Sequence, residues 1–344
     1  MTLMLPTLDT AGVLLEGSGV AAVCVAQLLS DANIPVFHMP HEQQKPAYIL
    51  LGDQTQALLR SIFEGLKGAD IFDGFPRITR RLVQWGPDAF GSDLPHSGIV
   101  VSERVLLDRL APWRSVSEVA VSDSSYAVRI NTRRADHGVP LQFGSREARF
   151  AQVRLALSAE PDACWIESLE HGWLFLLSVG NGEGSLIAVG GEPEDLLRTS
   201  RLVAPRVAEV VRKSPPVPCH PRLSLPVAIG NEILCGSAAM QFDPLCGEGA
   251  GNAVREAFLA AAIVRAVLAG EDIESLTQHY SSRLLPGFLR HLQVCRQFYA
   301  TGGNGPFWRS ETEALNKGIE MMTAEIAKLP PARFRLVDRT LIPI

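Results

Sequence analysis

The sequence lacks the features that would assign it to membrane or nucleic-acid-binding proteins. No apolar run approaches the ~20 residues that a helix needs to span a bilayer. Lys and Arg form no cluster and the net charge is −5, which argues against phosphate-backbone binding. The 344 residues are 47% hydrophobic and 20% charged, as is typical of a globular protein with about two domains. We therefore expect no membrane span and no nucleic-acid partner.

Cysteine pairs and export signals are missing as well. The cysteines show neither a Cys-x-x-Cys pair nor the spacing of metal ligands (Cys24, Cys164, Cys219, Cys235, Cys246 and Cys295). Scattered thiols in apolar contexts are typical of a reducing compartment, so the sequence predicts buried thiols and no metal site. The first residues carry no positive segment and no cleavage signature. These observations predict a cytoplasmic protein.

What the chain does contain is two glycine-rich junctions between a strand and a helix. The first junction, residues 13–29, is an apolar strand that leads into a helix through Gly17-x-Gly19-x-x-Ala22. Gly17 permits a sharp turn, Gly19 lets a pyrophosphate approach, and Ala22 allows close helix–strand packing. In such a βαβ unit the second strand ends in an acid that binds ribose, whereas this chain has His38 there.

The second junction, residues 233–262, reads as a short strand, a small-residue turn, a loop with Pro244 and an amphipathic helix. Glycines surround the start of this helix (Gly247, Gly249 and Gly251). Unpaired backbone N–H groups at a helix start can bind an anion or a negatively polarised ring edge. The alternative interpretation is that these glycines serve packing alone.

Between the junctions, the pattern predicts a helix after Ser102 and then a sheet. Arg104 lies in the first turn of that helix, where a cation opposes the helix dipole, so it serves either a pyrophosphate-like ligand or a neighbouring acid. Residues 116–190 alternate apolar and polar side chains and predict antiparallel hairpins. Residues 196–213 predict a helix that Pro205 kinks or breaks.

Further expectations concern an arginine-bearing strand and the C-terminal part. Residues 75–86 predict a strand whose Arg77, Arg80 and Arg81 face either a phosphate or, as the simpler interpretation, solvent. Helices are predicted over 273–285, 287–299 and 311–329.

In this order along the chain, the motifs resemble the FAD-dependent monooxygenase superfamily, which includes flavin-dependent halogenases. The greatest similarity is to halogenase-like flavoproteins, some of which mature quinone cofactors on partner enzymes. Aromatic residues at three places support this resemblance (Trp85-Gly86, Trp173 with Phe175, and Phe307-Trp308). The resemblance implies an α/β fold with a Rossmann-like FAD-binding domain of the glutathione-reductase type, an inserted antiparallel β-sheet substrate domain and a helical C-terminus. The implied boundaries are 1–115 plus 215–285, 116–214 and 286–344, respectively.

The resemblance also implies roles for matching residues. Those under the ADP part of FAD would be Gly17, Ser18, Gly19, Ala21, Ala22 and His38. Those on the flavin phosphate or ribityl side would be Arg104, Gly236 and Ser237. Those along the isoalloxazine would be Pro244, Gly247, Glu248, Gly249 and Ala250, with helix-start amides at the pyrimidine edge. Candidate acid–base groups are Asp243, Glu248 and His171.

Several positions depart from the family pattern. The ribose-binding acid is replaced, the Gly-Asp-Ala motif becomes Gly236-Ser237-Ala238, and residues 155–160 do not match the second flavin motif. No lysine is placed for halogenation. Two lost charged hydrogen bonds correspond to about a 10²–10⁴-fold loss of FAD affinity.

Two functions follow from the sequence. One is an FAD-dependent oxidoreductase, a monooxygenase or hydroxylase that acts on an aromatic or other organic substrate through reduced flavin and oxygen. Its substrate would be a small molecule or a protein side chain, and its electrons would come from NAD(P)H or a flavin reductase. The alternative is a non-enzymatic relative that binds FAD weakly or not at all and serves as a binding or maturation partner. A Ser/His/Asp hydrolase is disfavoured because no Gly-x-Ser-x-Gly elbow occurs.

Overall fold

A computed structural model describes residues 12–41, 48–63, 70–86, 91–110, 126–133 and 139–344. The helices in these ranges are α1 (Val20–Asp31), α2 (Asp53–Phe63), α3 (Glu103–Leu110), α4 (Pro193–Thr199), α5 (Gly249–Leu268), α6 (Ile273–Gly302) and α7 (Pro306–Ile326). The strands are β1 (Gly12–Glu16), β2 (Val36–Met39), β3 (Tyr48–Gly52), β4 (Arg77–Gln84), β5 (Ser92–Ser102), β6 (Tyr126–Asn131), β7 (Val139–Gln142), β8 (Glu147–Leu155), β9 (Ala163–Leu169), β10 (Gly172–Gly180), β11 (Glu183–Val189), β12 (Val207–Lys213), β13 (Val217–Pro218), β14 (Arg222–Leu225), β15 (Ala228–Ile229), β16 (Glu232–Leu234), β17 (Met240–Gln241), β18 (Phe334–Val337) and β19 (Thr340–Pro343).

A five-stranded sheet carries both glycine-rich junctions. Its strand order is β15-β16-β6-β1-β2, and β1 pairs in parallel with β2 and β6. Val13, Leu14 and Leu15 of β1 are all buried, as a parallel strand with both faces covered requires. Helices α1 and α5 pack against each other beside this sheet. The Rossmann-like arrangement predicted from the first junction is therefore confirmed.

A nine-stranded, mostly antiparallel sheet forms the second layer. Its order is β12-β8-β11-β10-β9-β4-β5-β3, and β13 also pairs with β8. One face carries a buried apolar cluster that includes Trp165, Leu174 and Leu176 and packs against Leu196 of α4. The opposite face borders the candidate site described below, which the five-stranded sheet borders from the other side.

The two sheets alternate along the chain. Strands β3 to β5, within the expected FAD-binding range 1–115, belong to the nine-stranded sheet, whereas β6, within the expected insert, pairs with β1. The sheets therefore do not follow the boundaries that the resemblance implied, and those domain boundaries stay a prediction. The beginning of the range 116–190, where hairpins are expected, lies outside the described residues up to position 125.

Residues 196–213 differ from the sequence prediction. Instead of one helix, the chain forms the short α4, a turn around Pro205 and the strand β12. Pro205 lacks the N–H that continues an α-helix and so disfavours one, and the β-branched Val207, Val210 and Val211 favour a strand. The edge strand β8 supplies the pairing partner for β12.

The C-terminal part is helical, as predicted. However, α6 runs without interruption from Ile273 to Gly302 and includes Pro286, where the sequence predicted a break. Phe288 continues the buried stripe beyond this proline, so packing compensates for the lost hydrogen bond. At the end of α6, the ring of Trp308 lies where a Cβ on Gly302 or Gly303 would stand. Within the described residues, no helix is both long and apolar enough to cross a membrane.

A buried cation joins the two layers to the C-terminal helices. Arg146, just before β8, is fully buried, and its Nε donates to Asp243 Oδ2 at 2.6 Å. Its Nη1 donates to Glu311 of α7, and its guanidinium lies 4.2 Å from the centre of the Tyr299 ring on α6. The Tyr299 hydroxyl donates to Asp243 Oδ2 at 3.0 Å. Four distant segments are thus held by one charge.

Replacing Arg146 should therefore destabilise the protein strongly. Arg146→Met leaves two carboxylates buried without their cation, which costs about 3–5 kcal/mol. The matched control is Arg154→Met, because Arg154 pairs with Glu209 at the exposed surface and such pairs contribute about 0–1 kcal/mol. Urea unfolding followed by tryptophan fluorescence measures both. Equal losses in the two variants would contradict the assigned role of Arg146.

Candidate functional site

Both glycine-rich junctions open onto one cavity of about 470 Å³. This volume lies within the range of about 300–1,000 Å³ that is common for small-molecule sites. The predicted residues that line it are Ser18, Gly19, Ala21, Gly236, Ser237, Asp243, Pro244, Gly247, Gly249 and Ala250. The fold thus brings together residues from opposite ends of the sequence.

The first junction presents the start of α1 to the cavity. Gly17 and Gly19 have φ values of 100° and 95°, which favour glycine. A Cβ on Gly17 would lie 2.5 Å from Thr132 Oγ1, so the turn is held closely against the end of β6. In the described part of the chain, no side chain caps α1 at Gly19. The N–H groups of its first turn therefore remain available to a ligand.

The second junction presents the start of α5 in the same way. Asp243 accepts a hydrogen bond from the Leu245 N–H and so begins the short turn Pro244–Cys246. Gly247 follows with φ 65°, and α5 begins at Gly249 after Glu248. Among the described residues, no side-chain bond caps this helix, and a Cβ on Gly249 would meet no atom within 4 Å. Two open helix N-termini therefore share the cavity, which favours negatively charged ligand groups.

Other predicted residues lie outside the cavity lining or beside it. Ala22 is buried within α1. His38 Nε2 donates to the Gly17 carbonyl at 2.8 Å, so the histidine supports the turn. Arg104 is exposed, whereas its neighbour Glu103 lines the cavity. His171 is exposed at the turn between β9 and β10. The proposed roles of Arg104 and His171 stay predictions.

The two remaining acid–base candidates are already engaged. Asp243 is buried and accepts from Leu245, Arg146 and Tyr299, which leaves it a structural carboxylate. Glu248 Oε2 lies 3.3 Å from His291 Nδ1, and this hydrogen bond lowers the pKa of the Glu248 carboxyl.

The sequence prediction missed a buried carboxyl in α5. Glu256 Oε2 accepts a hydrogen bond from the Gly236 N–H at 2.7 Å, and the residue lines the cavity. Its Oε1 is buried and has no hydrogen-bond partner within the described ranges. Burial raises the pKa of Glu256 to about 8, although the Gly236 bond opposes this. At neutral pH the group is therefore mainly a neutral acid that can donate. The available signal was a single acid, next to Arg255, in an alanine-rich stretch of helix.

The floor of the cavity is a row of apolar side chains from four neighbouring strands. Ile166 of β9 pairs with Phe175 of β10, Phe175 with Ile187 of β11, and Ile187 with Phe150 of β8. All four line the cavity, and we call them the cross-strand row. Because directly paired residues point to the same face of a sheet, the register creates a continuous apolar floor. The alternation of apolar and polar residues along one strand does not by itself identify its partner or this register.

A polar corner borders the cross-strand row. Arg81 of β4 lines the cavity, and its Nη2 lies 3.3 Å from His96 Nε2. In the part of the chain that the structure describes, Arg81 Nε is buried without a hydrogen-bond partner. Burial, and then the charge of Arg81, lower the pKa of His96. The corner therefore carries one cation and a neutral imidazole. Arg81 thus faces the cavity, rather than bulk solvent as in the simpler sequence interpretation.

The structure brings together two of the thiols that are scattered along the sequence, and a histidine lies beside them. Cys246, His291 and Cys295 offer ligand atoms that lie within 4.8 Å of one another. His291 and Cys295 are one helical turn apart in α6, a spacing present in the sequence but not used in the prediction. Cys246 lines the cavity. The prediction of no metal site is not tested by this grouping.

The sequence matches no protein-family model and no curated protein. Solved structures, in contrast, share the fold. The peptidyl tryptophan dihydroxylase QhpG, essential for tryptophylquinone cofactor biogenesis, is 17% identical with a TM-score of 0.68, covering 98% of this chain and 86% of QhpG. The myxobacterial chondrochloren halogenase CndH, an FAD-dependent halogenase, is 15% identical with a TM-score of 0.71, and the match covers 93% of this chain and 91% of CndH. HpxO of Klebsiella pneumoniae, solved with FAD and uric acid, is 15% identical with a TM-score of 0.65, and the match covers 95% of this chain and 99% of HpxO.

These similarities confirm the resemblance to FAD-dependent halogenases and monooxygenases at the level of the fold. The predicted fold class, an α/β protein with a Rossmann-like sheet, an antiparallel sheet and a helical C-terminus, is likewise confirmed.

The buried Glu256 should make stability fall as pH rises. Its pKa is about 8 in the folded protein against 4.5 for an ordinary glutamate. At pH values between these two pKa values, the folded state binds more protons than the unfolded state. The free energy of unfolding therefore decreases as pH rises, by up to ~4 kcal/mol. Glu256→Gln keeps the Gly236 bond and should flatten this dependence between pH 5 and 9, as measured by urea unfolding. The exposed Glu320→Gln is the control, and a slope unchanged in Glu256→Gln would refute the assignment.

Proposed function

We propose that this chain is an FAD-dependent oxidoreductase, a monooxygenase or hydroxylase acting on an aromatic or other organic substrate. One observation carries the proposal: two open helix N-termini and an apolar cross-strand row face each other across a single cavity. The first arrangement suits an anionic dinucleotide and the second suits a flat apolar substrate. The shared fold with FAD-dependent enzymes supports the same conclusion.

The residues present fit FAD. Gly19 would let the pyrophosphate approach the first turn of α1, and its open N–H groups would bind it. Pro244, Gly247 and Gly249 leave space for the isoalloxazine because a Cβ at either glycine would meet no atom within 4 Å in the described residues. The start of α5 would then favour negative charge on the nearby ring edge. Protonated Glu256 can donate to a ribityl or phosphate oxygen without repelling it.

Bound reduced FAD would supply electrons and activate oxygen for the reaction. The protein's own contribution is then orientation and the exclusion of water. The cross-strand row holds an apolar substrate against the N-terminus of α5, and Arg81 with His96 anchors a polar substituent. Asp243 fixes the α5 loop rather than moving protons, because three donors already occupy its carboxylate.

The chemistry of the cavity narrows the substrate class. An aromatic group would cover the cross-strand row, and an acidic or other acceptor group would pair with the guanidinium of Arg81, which lines the cavity. The substrate is either a free small molecule or an aromatic protein side chain, and the fold shared with a peptidyl tryptophan dihydroxylase supports the second source. Electrons come from NAD(P)H or from a separate flavin reductase.

Specific observations favour a second candidate, a binding or maturation partner without enzymatic activity. His38 replaces the ribose-binding acid and uses Nε2 for the Gly17 carbonyl. Ser237 offers a hydroxyl where the family pattern has a carboxylate, and Glu103 adds a carboxylate to the cavity wall. Under this proposal FAD binds weakly or not at all, so a direct measurement of bound flavin separates the two functions.

FAD binding can be tested at Gly249. The purified chain should be yellow or should titrate with FAD to one equivalent, and Gly249→Phe should abolish binding because the side chain enters the cavity. Gly287→Phe is the matched control, since Gly287 is also exposed on a helix with an open Cβ position but lies outside the cavity lining. Flavin absorbance and isothermal titration calorimetry measure both variants. A colourless wild-type protein that does not bind FAD would support the second candidate instead.

The polar corner can be tested with a matched pair of aromatic ligands. Indole-3-acetate should bind more tightly than neutral indole-3-acetamide by about 10-fold or more, because a charge-assisted hydrogen bond contributes about 1.5–3 kcal/mol. Arg81→Met should remove this preference, whereas Arg77→Met, at an exposed position of the same strand, should keep it. Isothermal titration calorimetry reports the six affinities, for two ligands and three proteins. Equal binding of acid and amide by the wild-type protein would exclude the proposed anchor.

A further inference from the structure

Two cysteines meet at the mouth of α5. Cys246 Sγ lies 3.4 Å from Cys295 Sγ, although the residues are 49 positions apart in the chain. Cys246 is half-buried and lines the cavity, whereas Cys295 is fully buried on α6 behind it. A disulfide has an S–S length of about 2.05 Å, so a modest shift of the Pro244–Cys246 turn would join the two sulfurs.

The neighbouring histidine is already committed to other partners. The Asp243 N–H donates to His291 Nε2 at 2.9 Å, so that nitrogen uses its lone pair as an acceptor. In the neutral ring that this bond requires, the proton lies on Nδ1, 3.3 Å from Glu248 Oε2, while Nε2 also lies 3.3 Å from Cys295 Sγ. A metal bound by Cys246 and Cys295 would have to displace the Asp243 amide from Nε2. The geometry therefore favours thiol chemistry over metal binding.

We propose that Cys246 and Cys295 are a redox-active thiol pair that hydrogen peroxide converts to a disulfide. In the first step the Cys246 thiolate attacks one peroxide oxygen and the O–O bond breaks. A sulfenic acid forms, and the departing hydroxide takes up the proton that the Cys246 thiol released, which gives one water. In the second step Cys295 sulfur attacks Cys246 sulfur, the S–O bond breaks, and a second water leaves. Over both steps the two thiols lose two protons and two electrons, and the peroxide is reduced to two waters.

The surroundings assign different roles to the two sulfurs. The hydrogen bond with Cys295 lowers the pKa of the Cys246 thiol to about 7, against the effect of burial. Burial raises the pKa of Cys295 well above its ordinary value. Cys246 is therefore the accessible attacking thiol and Cys295 the resolving one. Burial also raises the pKa of the other thiols, which keeps them unreactive (Cys24, Cys164, Cys219 and Cys235).

Disulfide formation would act on the cavity itself. Cys246 ends the turn that leads into Gly247 and α5, so a bond to α6 would tie the cavity mouth to the C-terminal helices. The pair is thus a modification site through which peroxide changes ligand access. This inference does not depend on FAD being bound, because the thiols and peroxide suffice for the reaction.

The test uses the full-length chain, reduced with dithiothreitol, desalted and treated with hydrogen peroxide. Alkylation under denaturing conditions followed by peptide mass mapping should show a Cys246–Cys295 disulfide that dithiothreitol reverses, with the other four cysteines alkylated. Cys295→Ser should instead accumulate a Cys246 sulfenic acid that dimedone traps. Cys246→Ser should leave Cys295 as a free thiol, and the control Cys164→Ser should still form the disulfide.

Two results would overturn the inference. One is that Cys246 stays reduced at peroxide concentrations that oxidise free cysteine, in the wild-type chain and in Cys295→Ser. The other is one equivalent of zinc in the purified protein that is released when the thiols are blocked, since this would make the cluster a metal site. Measuring zinc by mass spectrometry in the same samples distinguishes this outcome, whether or not FAD binds.

Discussion

The buried guanidinium of Arg146 is the interaction on which the arrangement of the site depends. It joins the start of β8, the loop at Asp243 and the helix that carries Glu311, and it lies over the Tyr299 ring. A buried charge is tolerated only where its partners are close, so these segments have one relative position. Asp243, held in this way, caps the turn that leads into α5. The mouth of the cavity is therefore fixed by a cation 97 residues away in the chain.

The two sheets contribute different kinds of chemical group to the same cavity. The five-stranded sheet places the starts of α1 and α5 next to each other, where backbone N–H groups provide positive potential. The nine-stranded sheet contributes side chains, through the pairing that aligns Phe175 with Ile166 and Ile187. One side of the cavity thus offers backbone N–H groups, and the other offers a mainly apolar surface of side chains with Arg81 and His96 at one corner. This division is expected of a cofactor site joined to a substrate site.

Much of the fold could be predicted from local sequence patterns. The Gly17-x-Gly19 turn and the glycines before α5 are local features, because φ values and helix starts depend on neighbouring residues. The residues of the cavity floor could not be predicted, since alternation indicates a strand but not its partner or register. The same limit explains Arg146 and the Cys246–Cys295 pair, whose partners are distant in sequence. The strand β12 was missed because its partner β8 overrides a helical spacing of apolar residues.

In the nine-stranded sheet, the groups that would contact a ligand differ from the groups that hold the strands together. The cross-strand row consists of side chains on one face, while the hydrogen bonds that hold β8 to β11 involve only the main chain. Exchanging Phe150 or Ile187 for another apolar residue reshapes the floor without breaking a strand pair. The glycine turns offer no such freedom, since Gly17 has a positive φ and close neighbours. Molecules of different outline could thus be accommodated by a few substitutions on a constant scaffold, which makes the floor the part of the molecule most open to redesign.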